Sequence, residues 1–139
     1  AASGELDGWA VEPRGLLALV ILFDQVPRNV FRGTPRAFEG DARAIALARL
    51  AVDQGFDRGL TVDERLFLYL PFEHAEDLAD QERSVALFRD LGDADYLDYA
   101  LRHQAVIERF GRFPHRNAVL GRPSTAAELA FLEQPGSSF

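Results

Sequence analysis

Apolar positions along the chain recur with helical spacing, and no stretch of any length alternates with the period of two that marks a strand. Leu16 to Phe23 is apolar on nearly every side, so the helix that holds it is predicted to be central and buried. Pro13 fits its first turn, and Pro27 is expected to end it near Gln25. Thr34-Pro35 is a second helix-start signal, and Asp41 is a candidate cap. Ala42 to Gln54 then reads as a helix with Ile45, Leu47, Ala48, Ala51 and Val52 inward, stopped by Gly55. Thr61 and Glu64 have the spacing of a capping box, and the helix they open is expected to break or kink at Pro71. Phe72 to Leu91 reads as helical again, in one or two pieces, with Gly92 closing it. Asp93 or Asp95 starts a long helix to Phe110, with Tyr96, Leu97, Ala100, Leu101, Val106 and Ile107 as its inward stripe and Gly111 as its stop. Thr125 and Glu128 repeat the capping-box spacing before a short helix that ends near Leu132.

The expected class is therefore all-α, with antiparallel helix pairs joined by short Gly and Pro connections into a layered bundle or short superhelix. Residues 1–134 are expected to form a single helical domain. Residues 135–139 are a tail that orders only if Phe139 docks. A chain of 139 residues, 47% of them hydrophobic, is long enough for a sizeable core.

A net charge of −7 argues against nucleic acid as a general partner, because phosphate binding needs a basic surface. All 15 basic residues are Arg and 20 residues are Ala, a bias assigned to a GC-rich genome rather than to thermal adaptation. The absence of cysteine excludes disulfides and thiolate chemistry within the chain. The longest apolar run is too short to cross a bilayer and nothing at the start reads as a signal peptide, so no membrane association and a cytoplasmic location are expected. With no methionine in the chain, a translated start upstream of Ala1 is expected.

One phrase nearly occurs twice. Leu22 to Gly33 reads L-F-D-Q-V-P-R-N-V-F-R-G, and Arg109 to Gly121 reads R-F-G-R-F-P-H-R-N-A-V-L-G. Each copy follows a helix, meets a proline and presents an Arg-Asn pair, which places hydrogen-bonding side chains beside freed backbone groups. Charge is also sorted along the chain. Thr61 to Asp98 carries eleven acidic residues against three arginines, whereas Arg102 to Arg122 carries five arginines and two histidines against Glu108. Blocks of this kind tend to face each other in a fold.

Within the acidic block, Glu73, Asp77 and Asp80 would share one face if helical, with His74 beside them. Three readings compete there. A metal would need His74 with Glu73 or Asp77 and His103 or His115, but the spacing is not that of a two-ligand helix face, so no metal and no cofactor are expected. Acid–base catalysis would use His74 or His115 near a carboxylate. The plain architectural reading has Glu73, Asp77 and Asp80 holding the arginines of the two corners. Asp24 adds a carboxylate at the unfavourable, carbonyl end of an apolar helix, where a cation such as Arg28, Arg32 or Arg116 is expected to hold it. The aromatic-basic stretch from Arg109 to Arg116 is too short, in too acidic a chain, to make a single-strand nucleic-acid site. No phosphate loop, nucleophile elbow or dinucleotide fingerprint is present.

The phrases G-E-L-D-G-W-A (Gly4 to Ala10), L-F-D-Q-V-P-R-N-V-F-R-G-T-P-R-A-F (Leu22 to Phe38), L-F-L-Y-L-P-F-E-H-A-E-D (Leu66 to Asp77), R-F-G-R-F-P-H-R-N (Arg109 to Asn117) and P-G-S-S-F (Pro135 to Phe139) together resemble the domain of unknown function 924 family. The resemblance runs the length of the chain. It implies a bacterial source, a tetratricopeptide-like array of helix pairs and a further N-terminal stretch rich in Trp and Phe, and it carries no established activity.

From the residues, the first functional expectation is a polar pocket lined by Asp24, Gln25, Arg28, Asn29, Glu73, His74, Asp77, His115, Arg116 and Asn117. It would take a small anionic or zwitterionic molecule, with hydrolysis through His74 or His115. The alternative is a non-enzymatic helical module that binds a protein partner or a second copy of itself.

Overall fold

The computed structural model describes residues 3–139. Their elements are six α-helices, α1 (Pro13–Val30), α2 (Asp41–Asp53), α3 (Val62–His74), α4 (Leu78–Leu91), α5 (Ala94–Phe110) and α6 (Ala126–Leu132). Short 3-10 turns span Asp7–Val11, Pro35–Phe38, Phe56–Gly59 and Pro114–Arg116, and no strand occurs among the described residues. Successive helices from α1 to α5 pack on one another, while α1 also packs on α3 and α3 on α5. That pattern is compatible with a tetratricopeptide-like array.

The main core joins Leu16, Leu17 and Val20 of α1 to Leu68, Tyr69 and Phe72 of α3 and to Val85 and Phe88 of α4. Ala44, Ala48 and Ala51 share one face of α2 at helical spacing and are fully buried, so their small side chains bring α2 close to α1. A smaller cluster, Val106, Ile107 and Phe113 with Phe110 and Phe131, ties α5 to the C-terminal segment. Of the expected α5 stripe, Leu101 faces solvent instead, and the buried polar residue His103 takes an inward place.

Both capping boxes form: Thr61 with Glu64, and Thr125 with Glu128. The prolines behave differently from the expectation. α1 does not end at Gln25 but runs through Pro27 to Val30, and α3 runs through Pro71 to His74. Each proline sits in the last turn, where it removes one helical hydrogen bond and leaves the rest of the helix intact. At α1 the carbonyl that Pro27 cannot reach, that of Phe23, is met by the backbone at Gly40, where a Cβ would stand only 2.1 Å from its oxygen.

The break that the sequence places at Pro71 falls at Ala75–Asp77 instead. Gln81, wholly buried, caps the end of α3 by donating from Nε2 to the carbonyls of Glu73 (2.7 Å) and Ala75 (2.8 Å). Glu73, Asp77 and Asp80 therefore do not share a helix face. Thr34-Pro35 opens only the 3-10 turn before α2, and Gly40 rather than Asp41 is the cap of α2. The tail docks: the Phe139 ring stacks on His103, and Ser137 Oγ donates to the Leu132 carbonyl at 3.1 Å.

One buried polar pair joins α3 to α5. His103 Nδ1 lies 2.8 Å from the Tyr99 carbonyl and 3.2 Å from Glu73 Oε1, so the ring proton sits on Nδ1. Burial pushes Glu73 up to about 8, with the negative charge of Asp24 adding to it. Burial pushes His103 down to about 3 against the pull of the Tyr99 carbonyl.

Two predictions follow from this packing. Gly40→Ala should cost about 1–3 kcal/mol in urea unfolding, because the new methyl meets backbone that cannot rotate away. Gly59→Ala, with no atom within 4 Å of its Cβ, should stay within about 0.5 kcal/mol of the parent. The second concerns pH. Glu73 ordinarily titrates at 4.5 but near 8 in the fold, so between those values the native chain binds the extra proton and stability falls as pH rises. His103 opposes this below 6.5, its ordinary value, where the unfolded chain is the one that takes up a proton. His115, held near 4 in the fold, opposes it in the same way, so the Glu73 loss should dominate only above about pH 7.5 and up to about 8, at no more than about 1.4 kcal/mol per pH unit, and Glu73→Gln should flatten it in denaturation curves taken across that range.

Candidate functional site

Because α1 continues past Pro27, Gln25, Arg28 and Asn29 recur at helical spacing and fall on one face of its last turns, and Arg32 follows in the turn just beyond its end. That face borders a cavity of about 570 Å³. Gly33, at φ 77°, turns the chain so that the 3-10 turn behind it brings Ala37 and Phe38 to the same space. α3 contributes Leu70 and His74, one helical turn apart, and α5 contributes His103. The Pro114–Arg116 turn supplies His115 and Arg116, and the tail supplies Phe139. All three histidines of the chain meet here with three arginines, and no carboxylate is among the described lining residues.

The carboxylates stand one layer back and close a ring. His74 Nδ1 lies 2.7 Å from Asp24 Oδ1, and Asp24 is 1% exposed. Gln25 Nε2 donates to Asp24 Oδ2 at 2.5 Å, and an Arg28 guanidinium nitrogen stands 3.2 Å from Oδ1. Arg28 then donates to both oxygens of Asp41, at 2.6 and 3.0 Å. Arg116 donates to Asp41 at 3.4 Å and to the His74 carbonyl at 3.0 Å, which returns the ring to its starting residue.

Electrostatics follow from this wiring. Burial works against the Asp24 carboxylate, but His74, Arg28 and Gln25 together hold its carboxyl below the ordinary value. An ionised Asp24 keeps the His74 proton on Nδ1 and leaves Nε2 with a free lone pair. Burial pushes His115 down to about 4, and neighbouring Arg116 adds to the shift. Burial and the nearby Arg28 lower Arg116 to about 10, so it stays cationic near neutral pH. The Arg116 guanidinium is also sandwiched between Phe38 and Phe113, at 4.8 and 4.6 Å from the ring centroids.

Of the residues expected at the site, Gln25, Arg28, Asn29, His74, His115 and Arg116 line the cavity, and Asp24 supports it from behind. Three do not reach it. Glu73 is turned toward His103, and Asp77 caps α4 by accepting from the Asp80 amide at 3.0 Å. Asn117 is wholly buried in the C-terminal corner, where Nδ2 donates to Ser124 Oγ and Oδ1 accepts from Arg122 Nε. Arg28 pairs with Asp24 as expected, but Glu73, Asp77 and Asp80 hold neither Arg28 nor Arg116. Asp41 holds Arg28 and Arg116, while Glu76 holds Arg122 at 2.6 and 2.8 Å and accepts from the Phe113 amide. Asp80 pairs with Arg49 of α2.

Sequence reasoning missed Arg32, Leu70, His103, Phe38 and Phe139 as lining residues. Leu70 carries a local signal, since it stands one helical turn from His74, and Arg32 belongs to the first copy of the repeated phrase. The other three arrive by tertiary packing. A second cavity of about 280 Å³ shares His74 and Arg116 with the first but is bordered by Asp24, Asp41, Glu76, Asp77 and Asp80. No three His, Asp or Glu side chains among the described residues come together in a metal-binding arrangement. No helix among the described residues is long and apolar enough to cross a membrane.

Comparison with known proteins agrees with the fold. A solved structure of the Agrobacterium tumefaciens protein of unknown function ATU0120 superimposes with a TM-score of 0.91 at 47% identity, covering 96% of this chain and 75% of that one. No curated protein matches the chain. Residues 1–136 match the family described as bacterial protein of unknown function, DUF924. On that match, over nearly its whole length, the chain belongs to the DUF924 family.

Proposed function

We propose that the protein binds a small anionic or zwitterionic molecule in the larger cavity, and that His74, oriented by Asp24, acts there as a general base in hydrolysis. The observation that carries this reading is the sorting of charge. In a chain of net charge −7, the cavity is faced by three arginines, three histidines and no Asp or Glu among the described lining residues. Its volume of about 570 Å³ suits a small organic molecule.

Guanidinium forks match the two oxygens of a carboxylate or phosphate. Arg28 and Arg116 are fixed by Asp41, whereas Arg32 makes no hydrogen bond or ion pair with any described residue and is free to close on a ligand. His115 and Arg116, which line the cavity, each also carry one buried polar atom without a partner among the described residues, Nδ1 and Nε.

In the hydrolytic step, His74 Nε2 takes a proton from water as the water oxygen attacks an acyl carbon. The cavity arginines stabilise the oxygen that becomes negative, and the imidazolium returns the proton to the leaving group. Asp24 stabilises that imidazolium through Nδ1–H. His115, neutral near pH 7, serves as a hydrogen-bonding group rather than as the acid.

The test uses 4-nitrophenyl hemisuccinate, an activated ester that carries its own carboxylate. His74→Asn should lower kcat at least about 100-fold. Equal rates for the parent and this variant would remove the hydrolytic step from the proposal. Arg32→Ala should raise KM about tenfold with little change in kcat, and added salt should shrink the difference, as expected for loss of a partly exposed ionic contact. An unchanged KM would remove Arg32 from the anion site.

A further inference from the structure

The geometry points to a planar aromatic body on the ligand: a ring that stacks on Phe139 while its anionic group meets Arg28, Arg32 and Arg116. This inference rests on the anion-binding reading above and extends it to the class of molecule bound. A cavity of about 570 Å³ has room for far more than an isolated carboxylate or phosphate, given that a water molecule occupies only ~30 Å³. The rest of the ligand must therefore fit the wall beyond the arginines, and that wall is built of flat groups.

Phe139 lies against the His103 ring with centroids 3.7 Å apart and planes 28° apart. His115 and Phe113 approach the same ring at steep angles, with centroids 5.9 and 6.1 Å away. One face of Phe139 is thus occupied by His103. Phe139 as a residue remains 43% exposed and lines the cavity, so it is not covered completely by these neighbours. Phe38 forms a second flat wall, with the Arg116 and Arg28 guanidinium groups over its ring at 4.8 and 5.5 Å. The same arginines that would hold an anion are in this way set beside aromatic surface. A flat ring bearing one acidic group satisfies both features at once.

Shape, rather than hydrophobicity, is the discriminating property. A saturated ring system has more apolar surface than its aromatic counterpart and would be preferred if burial alone decided. Stacking instead requires that both partners be flat, and adds to burial only for the aromatic ligand.

Isothermal titration calorimetry of the full chain with 2-naphthoate and decahydro-2-naphthoate, which carry the same charge on flat and puckered frames, tests this. 2-Naphthyl phosphate distinguishes a phosphate from a carboxylate as the preferred acidic group, and inorganic phosphate reports the anion site alone. The aromatic acid should bind about two- to tenfold more tightly than the saturated one. In Phe139→Leu that ratio should fall to about one while both acids still bind, with circular dichroism checking that the helices are retained. Equal or tighter binding of the saturated acid overturns the inference and leaves anion binding intact. A ratio unchanged in Phe139→Leu overturns the placement of the ring on Phe139. No binding of any of the four anions overturns the anion-binding reading together with the inference.

Discussion

The fold around the cavity depends on the ring of charge that runs from His74 through Asp24, Arg28, Asp41 and Arg116 back to the His74 carbonyl. It joins α1, the start of α2, the end of α3 and the turn after α5, and these elements otherwise meet through apolar contacts that allow sliding. Burying charge is costly, and a buried ion repays that cost only when its partners are fixed. Here each charged member has at least two partners, so the geometry of one corner sets the next. The outcome is a histidine anchored twice, by its side chain to Asp24 and by its backbone to Arg116. Its orientation is therefore set before any ligand enters.

The same ring separates two spaces of opposite character. His74 and Arg116 border both, with arginines and imidazoles on one side and carboxylates on the other. Most of those carboxylates are already committed: Asp41 to two arginines, Glu76 to Arg122, Asp80 to Arg49 and Asp77 to the start of α4. The acidic surplus of the chain is thereby kept off the wall of the larger cavity. Position, rather than net charge, gives that cavity its sign.

Much of this was legible in the sequence. The helices, both capping boxes and the stops at Gly55, Gly92 and Gly111 follow from local chemistry, because each is decided within a few residues. The repeated Arg-Asn phrase drew attention to Arg28, Asn29 and Arg116, which line the larger cavity. It misled at Asn117, where the second copy enters a 3-10 turn instead of continuing a helix and so faces inward. The prolines were the larger loss. A helix ending at Gln25 gives Gln25, Arg28 and Asn29 no common face, so the error about Pro27 hid the wall that α1 presents to the cavity. The close approach of Gly40 to the Phe23 carbonyl and the cap that Gln81 places on α3 are tertiary, and neither is visible within a local window. Phe38, His103 and Phe139 come from three distant parts of the chain, and only the packed structure brings them to one cavity.

The meeting of Pro27 with Gly40 has a consequence for how the chain can change over evolutionary time. Proline directs the Phe23 carbonyl away from its usual helical partner, and glycine leaves room for the backbone that meets it. Any side chain at position 40 collides with that carbonyl, and any other residue at position 27 restores an amide that draws it back toward the helix axis. The two sites should behave as one heritable unit, tolerating joint replacement better than either change alone. Because the residues of α1 that face the cavity lie on either side of Pro27, drift at this pair would also move the functional wall, coupling the history of a backbone contact to that of the ligand.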